Sequence, residues 1–146
     1  MDGSIVTRDF TTMVDDRVGE GVFRVERSVY TDPVVFDAEM RRIYEKGWVY
    51  LCHESQVPDA GSFFACEIGV QPVLVIRQKD RSLKGFINAC SHRGALLTAT
   101  KQGTATTLTC RFHGWAYGCD GHCIRIKSEQ EGFPGADFER SQYDLT

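Results

Sequence analysis

Two short segments set a cysteine close to a histidine: Asn88-Ala89-Cys90-Ser91-His92-Arg93-Gly94-Ala95 and Thr109-Cys110-Arg111-Phe112-His113-Gly114-Trp115. They read C-x-H and C-x-x-H, and a glycine follows each histidine closely. Thiolate is a soft ligand suited to iron–sulfur clusters, and imidazole suits iron as well as zinc. Two loops that each offer one Cys and one His can serve a two-iron centre. Cys90 and Cys110 would bind one iron and His92 and His113 the other, histidines replacing cysteines on that second iron. Gly94 and Gly114 would allow the tight turns that bring both loops around such a centre. A structural zinc ion also takes two Cys and two His. Its usual signature is a C-x-x-C knuckle with a distant histidine pair, whereas each loop here mixes the two residue types. A zinc-stabilised binding module therefore ranks behind the iron–sulfur reading, and colour separates them: red-brown against colourless.

Strands must carry these loops. Candidates are Val49–His53, Phe63–Ile68, Pro72–Arg77, Leu83–Asn88, Thr106–Cys110 and Cys123–Lys127, each rich in β-branched or aromatic residues. Pro58-Asp59-Ala60-Gly61, Lys79-Asp80-Arg81-Ser82 and Asp120-Gly121 punctuate them. Asp120-Gly121 is a strong hairpin signal, with Trp115–Gly118 leading in. Short strands at this spacing predict a mainly β chain, an antiparallel sandwich with a cluster-binding subdomain. One α-helix should precede it, capped by Asp32, opened by Pro33 and ended by Gly47. Phe36, Met40, Ile43 and Tyr44 fall on one face of that helix, and Asp37 stands four residues before Arg41. Residues 22–30 read as a short extended segment. The expected organisation is a mobile arm over 1–20, a helical segment over 21–47 and the cluster domain over 48–146.

Composition sets the surroundings. The 146 residues are 42% apolar and 25% charged, with a formal net charge of −3, enough for one real core and without the basic excess that would suggest nucleic acid or anionic lipid. No apolar run reaches the roughly 20 residues a membrane span needs. The acidic, polar start MDGSIVTRDFTTMVDD is not a secretory signal, so the expected location is cytoplasmic. Cys52, Cys66, Cys119 and Cys123 lack metal-type pairing with histidine and read as reduced thiols. His53 and His122 read as isolated residues at a strand end and in a hairpin.

CSHRGA followed by CRFHGWAYGCDG resembles the Rieske domain of the large subunit of aromatic ring-hydroxylating dioxygenases. IYEKGWVYLCHESQVP and IGVQPVLVIR resemble the benzoate, toluate and anthranilate branch of that family, and the likeness runs from about Gly21 to Thr146. The resemblance implies a Rieske [2Fe–2S] cluster on Cys90, His92, Cys110 and His113. It implies one-electron delivery from a reductase or ferredoxin to a mononuclear Fe(II) that dihydroxylates an aromatic substrate, an aromatic carboxylate in this branch. That iron belongs to a catalytic domain outside this chain, so no catalytic residue is expected here and the chain reads as an N-terminal portion. Expected partners are the catalytic domain, neighbouring large subunits and, as a further candidate, small subunits. A stand-alone Rieske ferredoxin is the alternative, and the almost ninety residues before Cys90 count against it.

The same resemblance bears on tuning. High-potential Rieske proteins carry an extra Cys in each loop and a Ser after the second His-Gly; the corresponding positions here are Ala95, Phe112 and Trp115. A potential toward the lower end of the range follows, at or below about −100 mV. Tyr117 keeps the offset of a tyrosine that hydrogen-bonds the cluster in that group, and reads equally as a strand aromatic. Trp115 reads as a cover for the cluster, an interface residue or core. Arg93, Lys101, Arg111, Arg125 and Lys127 form a candidate basic rim for an acidic electron donor.

Overall fold

Apolar residues crowd Ser62–Arg77, and in the computed structural model this stretch folds back on itself as a long antiparallel hairpin. Residues 8–133 and 138–146 are described here, and the chain divides into two units, Met1–Val49 and Tyr50–Thr146.

In the first unit Val14–Arg17 (β1) pairs antiparallel with Val22–Val25 (β2), Val14 opposite Val25. Gly21, at φ +67°, makes the turn between them. Residues 1–7 of the expected arm lie outside the described residues. Within residues 8–20 of that arm, Met13 is buried, its carbonyl takes the Glu26 amide, and Arg8 pairs with Asp32 and Glu26. A polar stretch without periodicity here carries a strand pairing and ion pairs.

The helix begins where the caps place it. The Asp32 carboxylate accepts the Val34 N–H at 2.8 Å, and Pro33 opens α1, Pro33–Glu39. The chain then widens into a π-turn over Met40–Tyr44, the Glu45 N–H reaching the Met40 carbonyl. Gly47 closes it with its N–H on the Ile43 carbonyl at 2.7 Å, where a Cβ would stand 2.8 Å from that oxygen. The expected apolar face is only partly covered. Val35 is buried, while Phe36, Ile43 and Tyr44 are exposed.

The second unit is antiparallel β. Ser62–Ile68 (β3), Gln71–Arg77 (β4), Leu83–Ile87 (β5) and Gln102–Thr104 (β6) form one sheet in the order β5-β4-β3-β6. Thr107–Thr109 (β7), Ala116–Gly118 (β8) and Cys123–Arg125 (β9) form the other in sequence order, with a bulge at Ala116/Tyr117. Phe63, Leu74 and Ile76 of the first sheet and Leu108, Tyr117 and Cys123 of the second share one core with Leu97, Trp115 and Ile126. The strand expected at Val49–His53 is absent. That segment runs into a 3-10 turn, Glu54–Gln56, with the His53 ring accepting the Ser55 N–H at 3.2 Å. Buried Arg77 anchors the region by donating to the carbonyls of Val57 (2.9 Å), Arg81 (2.7 Å) and Glu54 (3.5 Å). Gly121, at φ +94°, turns the β8–β9 hairpin so close to Phe86 that a Cβ would meet its ring at 2.4 Å.

Candidate metal centre

The two Cys/His loops are built alike. The Cys90 N–H donates to the Ala95 carbonyl at 2.8 Å, and the Cys110 N–H donates to the Trp115 carbonyl at 2.7 Å. In return the Gly94 N–H reaches the Cys90 carbonyl at 2.8 Å and the Gly114 N–H the Cys110 carbonyl at 2.9 Å. Gly94 and Gly114 have φ of +71° and +72°, a left-handed conformation that other residues adopt at a cost. One turn geometry used twice thus places the two cysteines and the two glycines in equivalent positions, while the histidines fall one position apart in it, His92 matching Phe112 and His113 matching Arg93.

The side chains meet in pairs, Cys90 beside Cys110 and His92 beside His113. Cys90 and Cys110 are buried at 3% and 2% exposure, while His92 and His113 are half-buried. The two imidazole centroids stand 4.8 Å apart with planes at 72°. Burial pushes the Cys90 thiol above its ordinary value, opposed by a hydrogen bond from Tyr117. Burial, with the neighbouring His113 and Arg93, holds His92 below its ordinary value, in the neutral form that binds metals. Among the described residues no three His, Cys, Asp or Glu side chains gather as ligands of a single ion would.

Braces surround the loops. Fully buried Tyr117, on β8, places its hydroxyl 3.1 Å from the Cys90 sulfur and accepts the Ser91 N–H at 3.2 Å. Burial and the Cys90 contact raise its phenol further above the ordinary range, so the hydroxyl keeps its proton to donate. Buried Trp115 stacks on His92, centroids 4.7 Å apart and planes within 7°. Exposed Phe112 leans on His113 at 4.1 Å and 41°. Asn88 braces the first loop, donating to the Thr98 carbonyl at 2.9 Å and accepting the Thr98 N–H at 3.1 Å.

The expected basic rim divides. Arg93 and Arg111 are exposed in the loops themselves, and the Lys127 stem passes over Gly114. Lys101 instead lies over the Phe64 ring, and Arg125 is exposed on β9. Sequence reasoning missed Ser91 and Asp144. The Ser91 hydroxyl donates to the Asp144 carbonyl at 3.2 Å, while the Asp144 carboxylate takes the Cys123 N–H at 2.6 Å and meets His122 Nδ1 at 2.7 Å. Asp144 thereby ties the β8–β9 hairpin to the first loop, and His122 is one arm of that tie.

A family model described as the Rieske [2Fe-2S] domain matches residues 47–136. The alpha subunit of toluate 1,2-dioxygenase from Pseudomonas putida is 41% identical over 135 residues, covering 92% of this chain and 30% of the relative. The large subunit of anthranilate 1,2-dioxygenase from Acinetobacter baylyi is 40% identical, covering 90% and 28%. A crystal structure of naphthalene 1,2-dioxygenase from Rhodococcus sp. superposes with a TM-score of 0.76 at 30% identity, covering 84% of this chain and 28% of that one. The chain therefore spans less than a third of the length of these relatives.

Proposed function

This chain belongs to the Rieske [2Fe-2S] domain family, and from that premise we propose that Cys90, His92, Cys110 and His113 hold the cluster in the electron-relaying part of an aromatic ring-hydroxylating dioxygenase large subunit. The observation that carries the assignment is the doubled turn, which buries two thiols at equivalent positions and brings two half-exposed imidazoles within 4.8 Å of each other. The donor set fits the cofactor. Each iron of such a cluster takes two protein ligands, and the Cys90 thiol adjoins that of Cys110 as the His92 imidazole adjoins that of His113.

When bound, the cluster supplies one-electron transfer. The chain's own residues do the rest. Cys90 and Cys110 keep the sulfur side dry, and the Tyr117 hydroxyl directs a hydrogen bond at Cys90. His92 and His113 form the side nearer to solvent, flanked by Arg93, Arg111 and Phe112. These two guanidiniums suit an acidic reductase or ferredoxin as donor.

The full protein, on this reading, passes the electrons to a mononuclear iron in a catalytic domain and dihydroxylates an aromatic carboxylate. Relatives named for toluate, anthranilate and 2-halobenzoate, at 40–41% identity over 132–144 residues, support that substrate class; two named for biphenyl reach 40% over 105 residues, and those named for chlorobenzene and benzene stand at 36% and 35%. The alignment to the toluate enzyme takes in 92% of the chain, including most of the residues before the family match. That favours a large-subunit portion over a stand-alone carrier.

The test is iron and sulfide analysis across two sets of variants. Replacing Cys90, His92, Cys110 or His113 by alanine is expected to abolish cluster binding. Replacing Cys52, Cys66, Cys119 or Cys123 by serine is expected to retain it. Retention in the first set overturns the ligand assignment.

A further inference from the structure

The two loops share one backbone plan but not one set of neighbours. At the position where the second loop closes with Trp115, the first closes with Ala95, since each carbonyl takes its own cysteine's N–H. The indole does not cover the histidine of its own loop. It crosses to the other and lies flat on His92, at 4.7 Å and 7°. Its own position is tightly fixed: Trp115 is 2% exposed, and the edges of Tyr143 (5.4 Å, 75°) and Phe133 (5.7 Å, 75°) back it. Besides the edge of His92 itself, His113 has the exposed Phe112 ring against it, tilted by 41°.

A histidine's ring torsion is intrinsically broad, so a neighbour must set the plane of a ligating imidazole. The usual device is a hydrogen bond from the second ring nitrogen to a carboxylate or carbonyl. Among the described residues the histidine rings hydrogen-bonded to side chains are those of His53 and His122, not those of His92 or His113. A flat, buried, backed indole restricts rotation of the ring stacked on it.

We propose that Trp115 is a positioning residue for His92: it fixes the imidazole plane across the two loops and makes the two histidines inequivalent, His92 held and His113 free to librate. The proposal rests on the assignment of both histidines as cluster ligands. It predicts a cluster whose two histidine nitrogens differ in how sharply their orientation is defined.

The test is pulsed electron paramagnetic resonance of the reduced, cluster-loaded chain, reading the nitrogen couplings of both histidines, with thermal unfolding recorded alongside. In the parent chain one coupling should be narrow and the other broad. Trp115→Leu should broaden the narrow coupling and shift its value, and Trp115→Phe, with a smaller ring, should do so to a lesser extent. Phe112→Leu should leave the narrow coupling unchanged. A merely structural role for Trp115 would lower the unfolding temperature of its variants and leave both couplings as in the parent; that result overturns the proposal. If the Leu variant fails to hold a cluster, the Phe variant decides by the same criterion. Absence of two nitrogen couplings in the parent would instead sink the ligand assignment, which separates the two failures.

Discussion

The Tyr117 hydroxyl stands 3.1 Å from the Cys90 sulfur while accepting the Ser91 N–H at 3.2 Å. With its acceptor side occupied by Ser91, its proton is left to point at the sulfur. A hydrogen bond to a charged acceptor is stronger than one to a neutral acceptor, and reduction places more negative charge on the centre. Tyr117→Phe should therefore lower the reduction potential. If about 1.4 kcal/mol of differential stabilisation is lost, the fall is about 59 mV for a one-electron couple. Redox titration of parent and variant measures it, and an unchanged potential would show that the hydroxyl does not act on the sulfur. The parent's potential is still expected at or below about −100 mV, since Ala95, Phe112 and Trp115 offer no side-chain hydroxyl or thiol.

The turn glycines give a graded stability series. At Gly94 a Cβ would meet nothing within 4 Å, so Gly94→Ala carries only the left-handed backbone cost, about 1–2 kcal/mol. At Gly61, φ is +82° and a Cβ would stand 2.4 Å from the Ala105 carbonyl oxygen. Gly61→Ala should therefore be clearly the more destabilising of the two. Urea unfolding of both variants checks the order, and equal losses would contradict it.

Arg77 should tolerate no simple replacement. It is 7% exposed and serves three carbonyls, two of them in the segment before β3. Arg77→Ala strands these acceptors, at a cost of about 2–4 kcal/mol. Arg77→Lys, lacking the planar fork, should recover only part of the loss. Chemical denaturation measures both; full recovery with lysine would mean that charge alone matters.

The tie between Asp144 and His122 makes stability depend on pH. The Asp144 hydrogen bond, then its charge and that of Asp120, raise His122 above its ordinary 6.5. The Cys123 N–H, then His122, hold Asp144 below its ordinary 3.8. The histidine's contribution is whole below 6.5 and is lost as pH rises through its raised folded value. The carboxylate's contribution is whole above 3.8 and is lost as pH falls through its lowered folded value. Asp144→Asn keeps an acceptor for Cys123 and removes the charge. The parent's advantage in melting temperature over this variant should be greatest at about pH 4–6.5 and shrink on both sides. A difference that does not vary with pH would contradict the ion pair.

What the sequence made legible was local. Cys90/His92 and Cys110/His113 lie two and three residues apart, and the glycines that let their loops turn follow at once. Asp32-Pro33 marked the helix start, and Asp120-Gly121 the hairpin, because caps and turns are short-range chemistry. Contacts between distant segments gave no such signal. Trp115 lies 23 positions from His92, and Asp144 lies 53 from Ser91. β6, Gln-Gly-Thr, has no apolar alternation and exists through pairing with β3. Val49–His53 had strand-like composition but no partner strand, and β1 formed in a polar stretch because β2 lies within reach of a tight turn.

The central claim, that Cys90, His92, Cys110 and His113 hold a mixed-ligand two-iron cluster, is tested most directly by electron paramagnetic resonance of the anaerobically purified, dithionite-reduced chain. The account predicts a rhombic signal with the low average g of mixed Cys/His ligation, lost when any one of the four is replaced by alanine. A silent, colourless protein carrying stoichiometric zinc would contradict it and leave a structural metal site in its place.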